Sequence, residues 1–127
     1  MALSQIHLTL ARDAEHPAGD RHCGYQIVAP LDADGHLDPI AWAGHSDACT
    51  VTRFWDGEAT ELGRLVHRGD GWVFDYDPER RDDDEPGYRF ESRVFRVGEY
   101  VAVREHDGAT RTFRVDRVSP IGSRSAA

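Results

Sequence analysis

The 127-residue chain carries a formal net charge of −8, with 39% hydrophobic residues, 30% charged residues and two cysteines. That length supports one domain with its own core, without disulfide or metal support, and two cysteines are too few for a disulfide framework. The acidic balance argues against double-stranded nucleic acid as a partner, because phosphates are held by cationic neutralisation, and the apolar runs are too short for a membrane-spanning helix.

Met1 to Arg12 has no basic leader, and His7 and Thr9 interrupt its apolar residues, so a cytoplasmic location is expected. The basic residues are all Arg, and their distribution is uneven. Residues 1–85 hold 18 acidic residues against 7 Arg, whereas residues 86–127 hold 5 against 8.

In chain order, Ile6 to Leu10 alternates as a half-buried strand does, with His7 pointing outward. A loop from Glu15 to Arg21 precedes a strand from Cys23 to Leu31. Asp38-Pro39 then starts a helix to about Ala48, since Asp caps free amides and Pro at the first helical position needs no donor. Trp42 is its expected buried anchor.

Strands follow at Thr50 to Trp55, Ala59 to His67 and Gly71 to Asp77, where Trp72, Phe74 and Tyr76 share a face. Pro78 to Gly87 reads as a polar loop. Strands resume at Tyr88 to Phe95, Tyr100 to Glu105 and Thr110 to Val118. The dipeptides Asp34-Gly35, Asp56-Gly57, Asp70-Gly71 and Asp107-Gly108 read as tight turns. The last predicts a hairpin placing Val101, Val103, Phe113 and Val115 in one core.

About eight antiparallel strands and one short helix follow, mainly β, as a partly open barrel or two-layer sheet over residues 1–119, with a disordered tail at 120–127.

Candidate chemistry is sparse. His45 and Cys49, four apart, would share a helix face and, with His22 or Cys23, offer donors suited to zinc, although no close Cys pair accompanies them. Asp75 to Glu85 begins like a calcium loop, but Arg80 stands where the sharp turn requires glycine, which favours a solvated acidic loop. Neither Cys23 nor Cys49 sits in a recognisable nucleophile turn, and no glycine-rich phosphate loop occurs.

The charge split suggests a salt-sensitive association surface between Asp82, Asp83, Asp84 and Glu85 on one side and Arg89, Arg93, Arg96, Arg111, Arg114 and Arg117 on the other. These arginines alternate with apolar residues and are expected to be largely exposed.

Gly71-Trp72-Val73-Phe74-Asp75-Tyr76-Asp77, Gly87-Tyr88-Arg89-Phe90, and Val97 to Val103 through Thr112-Phe113-Arg114-Val115 resemble a family of short uncharacterised bacterial proteins with no assigned activity. The resemblance implies no catalytic or binding residue. The expected function is a small cytoplasmic binding or regulatory module that needs no cofactor and works through a protein partner or self-association. The alternative is an enzyme or small-molecule binder using a cleft near Trp42, His45 and Trp55.

Overall fold

The computed structural model describes residues 3–76, 84–105 and 107–121. They form one domain: eight antiparallel strands, each hydrogen-bonded to its neighbours in sequence, with the last returning to the first to close a barrel. The strands are β1 (Leu3–Leu10), β2 (Asp20–Ala29), β3 (Thr50–Phe54), β4 (Glu61–Arg68), β5 (Gly71–Asp75), β6 (Glu85–Tyr88), β7 (Tyr100–Arg104) and β8 (Thr110–Ile121).

Closure depends on β8, the longest strand, which pairs with β7 through Tyr100↔Arg114 and Val101↔Phe113, and with β1 from Leu10↔Phe113 to Leu3↔Ile121. A bulge opposite His7 and Leu8 makes Asp116 the extra residue of β8, and its carboxylate accepts the Thr9 hydroxyl at 2.5 Å. β8 reaches Ile121, past the expected end of the last strand. Residues 122–127, which hold most of the expected tail, lie outside the described residues.

An eight-stranded barrel has an interior just wide enough for side chains to fill. Here it holds Tyr25, Trp72, Phe74, Phe90, Phe95 and Phe113, all fully buried, together with Ile6, Leu8, Ile27 and Leu65. Val101, Val103, Phe113 and Val115 share this core, and β7 and β8 pair as the alternation predicts.

The barrel's two ends are closed differently. At the end where β2 finishes, residues 30–49 cross over, carrying α1 (Pro39–His45) and a 3₁₀ turn at Ser46–Ala48. Asp38 caps α1 as its sequence predicts, accepting the Ile40 and Ala41 amides at 3.1 Å. The connection from β6 to β7 lies at the same end, and the Phe95 amide donates to the Gly35 carbonyl at 2.8 Å. Leu37, Phe90 and Phe95 thereby complete the core.

Three sequence expectations are corrected. The Tyr88 to Phe95 strand is instead the end of β6 followed by a 3₁₀ turn at Phe90–Ser92, because Arg89 adopts a left-handed conformation (φ 53°) that breaks the strand. The β4–β5 turn is Gly69-Asp70, with Arg68 paired to Gly71; Gly69 supplies the positive φ, so the Asp70-Gly71 dipeptide straddles turn and strand. The expected Pro78 to Gly87 loop stops short: Glu85, Pro86 and Gly87 belong to β6, where backbone pairing joins Phe74 to Glu85, Val73 to Pro86 and Gly87 to Val103.

Candidate functional site

The end of the barrel opposite α1 holds a buried charged network. Val51 and Arg53 share the inward face of β3, and Glu105 continues the inward register of Val101 and Val103. Glu85 opens β6 with a wholly buried side chain. The Tyr25 hydroxyl lies 2.6 Å from Glu105 Oε2 and 2.9 Å from Glu85 Oε1, and the Tyr76 hydroxyl donates to the same Glu85 oxygen at 2.8 Å. Tyr25 has one proton to offer two carboxylates.

Two guanidiniums hold these acids. Arg53 Nε lies 3.5 Å from Glu105 and 3.9 Å from Glu85, and its Nη1 reaches the rim residues Glu58 at 3.2 Å and Glu61 at 3.5 Å. Arg111 Nε donates to Glu105 at 3.0 Å, and its Nη1 and Nη2 meet Glu15, Asp13 and Asp107. Both guanidiniums lie over the Trp55 ring, 4.5 and 5.7 Å from its centroid.

Burial, and then the Glu85 charge, push both Tyr25 and Tyr76 far above the ordinary phenol value. Burial works against the Arg53 charge, but Glu105 and the other acceptors around it outweigh burial and hold the proton more firmly than on an ordinary arginine. With the core filled above it and these ion pairs across it, this end is a plug whose groups hold one another.

Grooves lie on the outer surface among the described residues, and two of them matter here. One, of about 490 Å³, runs between α1 and β4, lined by Trp42, Leu62, Leu65, Val66 and Tyr76 with Asp75 and Arg64 among its polar members. Trp42 is fixed there: its Nε1 donates to the Leu65 carbonyl at 2.8 Å, and its ring meets Trp72 edge-on. Gly63 lets Tyr76 lie close, since a Cβ would fall 2.7 Å from that ring. Leu62 is 72% exposed. The second groove, of about 1180 Å³, is polar and lies over β1 and β8.

The structure separates several predicted site residues. Trp42 lines the α1 groove, but His45 and Trp55 do not; Trp55 follows the far end of β3 and belongs to the charged network. The Cys49 thiol donates to the backbone carbonyl of His45 at 3.3 Å, while His45 Nδ1 meets the Ala41 carbonyl. Burial pushes the Cys49 thiol up, and likewise Cys23, so neither is primed as a thiolate. His22, exposed, pairs with Asp20. Asp32, Asp34 and His36 gather in an exposed turn, where Asp32 Oδ1 accepts the Asp34 and His36 amides.

The acidic run is not uniformly solvated. Asp84 pairs with Arg68 at 2.6 Å, Arg68 also holds Asp75 at 2.9 Å, and Glu85 is interior; Asp82 and Asp83 lie outside the described residues. Of the predicted arginines, Arg89, Arg96, Arg114 and Arg117 are exposed, whereas Arg93 is half-buried and Arg111 is drawn into the network. Sequence reading missed Tyr25, Arg53, Glu85 and Glu105 as a unit. The available signal was a charge on an inward register, at Arg53 after Val51 and at Glu105 after Val103.

No family model, curated protein or solved structure matches the chain.

Proposed function

We propose that this barrel is a binding module that docks a protein partner through the α1 groove. The carrying observation is Leu62, 72% exposed, which lines a groove of about 490 Å³ together with the immobilised Trp42 ring. An exposed large aliphatic residue next to a fixed aromatic wall is the chemistry of an interface anchor, where a few apolar side chains supply most of the binding free energy. Arg64, exposed on the same groove, suits a polar rim around an apolar side chain from the partner.

A rigid scaffold supports this reading. The core is filled at both ends, so recognition falls to the outer surface, and the groove walls come from a helix and two strands held by backbone pairing. Both cysteines are free thiols, which suits the reducing interior of a cell.

Capture from the source cell extract with the wild type and with Leu62→Glu tests the reading. Leu62 is exposed, so the variant should keep the wild-type circular dichroism and melting temperature while losing the captured protein. Equal capture by both would remove the groove from the function.

A further inference from the structure

The larger groove has a floor and a wall of distinct origin. Its floor is the outer face of three adjacent strands, where Tyr100 of β7 stands opposite Arg114 of β8, and Arg114 stands opposite Thr9 of β1. Directly paired residues point to the same side of a sheet, so these three form a continuous cross-strand row. The wall is the β1–β2 connection with the start of β2, bringing Arg12 and Arg21 over that floor.

The charges in this groove are unevenly engaged. Its two carboxylates are occupied: Asp116 accepts from Thr9 and pairs with Arg114 at 3.4 Å, and Asp20 accepts the His22 amide at 2.8 Å and pairs with the His22 ring. Arg12 and Arg21 are exposed, and among the described residues neither has a carboxylate within ion-pair distance. Tyr100 is 55% exposed beside them, and the exposed Thr112 hydroxyl lines the same floor.

We infer that this groove binds a small phosphate ester bearing a planar ring, with the phosphoryl group between Arg12, Arg21 and Arg114 and the ring against Tyr100. Guanidiniums present forked donors that match phosphate oxygens, and an exposed phenol face accepts a flat ring by stacking. A compact dianion is favoured over a nucleic-acid strand because the chain's net charge of −8 repels an extended polyanion, whereas a single phosphoryl group answers mainly to nearby charges, those beyond a screening length of about 8 Å being largely screened. The site shares no lining residue with the α1 groove.

Adenosine monophosphate, inorganic phosphate and adenosine are the probes, followed by amide chemical shifts at low salt. Adenosine monophosphate should shift the residues around Arg12, Arg21, Tyr100 and Arg114, inorganic phosphate should bind more weakly at the arginines, and adenosine should give no saturable shift. Arg12→Ser combined with Arg21→Ser should weaken adenosine monophosphate binding about tenfold or more. Both side chains are exposed, so folding is preserved, and Leu62→Glu should leave this binding unchanged. Absence of saturable shifts with adenosine monophosphate, equal binding of adenosine, or undiminished binding by the double variant would each overturn the inference.

Discussion

A Cβ added to Gly87 would fall 2.4 Å from the ring of Phe90. The chain folds back on itself here: Arg89 turns through a left-handed conformation and lays Phe90 under its own strand, where the ring meets Phe74 and Phe95 at centroid distances of 5.9 and 5.1 Å. With Phe90 packed on both sides, it cannot retreat from a new methyl. Gly87→Ala should therefore destabilise the protein by about 1–3 kcal/mol, the range for overpacked cores. Urea unfolding measures it, and a change within error would show that the ring yields.

The same contact explains one limit of sequence reading. Tyr88 to Phe95 has strand-like composition, yet the close approach of Gly87 and Phe90 is a tertiary fact that overrides local preference. Features set within a few residues were legible: the Asp38 cap, the alternation of Val101 and Val103, and the outward position of His7. Barrel closure through β1 and β8 was not, because it joins the two ends of the chain with no local signature. The network was hidden for a related reason. Arg53 and Glu105 look like solvated charges until their inward registers are set against one another across the barrel.

Alkaline pH should probe the two network phenols. Burial and then Glu85 raise Tyr25 and Tyr76 above their ordinary value of 10.0, so the native state holds both protons more tightly than the unfolded chain. Their contribution is fully present below about pH 10 and is lost as pH rises toward the folded values. Stability should stay level through neutrality, as far as these groups are concerned, and fall above about pH 10. A fraction of the tyrosinate absorbance should appear only with the loss of near-ultraviolet circular dichroism. Full phenol ionisation in a still-folded protein would contradict their burial.

Cys49 should act as a core residue. Its thiol is fully buried and donates to the His45 carbonyl, while the His45 ring meets the Ala41 carbonyl. A chelator should leave the melting temperature unchanged, while Cys49→Ser should lower stability by about 1–3 kcal/mol through burial of an added hydroxyl. Stoichiometric zinc whose removal lowers the melting temperature would reverse this and restore His45 and Cys49 as ligands.

Arg53 offers a direct comparison between a buried and an exposed partner. Glu58 pairs with its Nη1 at 3.2 Å but is 54% exposed, so solvent screens the pair, and Glu58→Ala should change stability by only about 0–1 kcal/mol. Glu85 faces the same guanidinium from a wholly buried position and also accepts the Tyr25 and Tyr76 hydroxyls. Glu85→Ala would take the acceptor from the Tyr76 phenol, Tyr25 keeping Glu105, and open a void in the plug, at a cost of about 3–5 kcal/mol. This ranking reverses the one expected from separation alone, since the Glu85 pair, at 3.9 Å, is the longer of the two. Burial decides it: the wholly buried Glu85 carboxylate also holds Tyr76 and fills space, whereas solvent already serves the exposed Glu58. Chemical denaturation of both variants under one buffer checks the order, and a Glu58→Ala loss equal to that of Glu85→Ala would mean that water reaches the network.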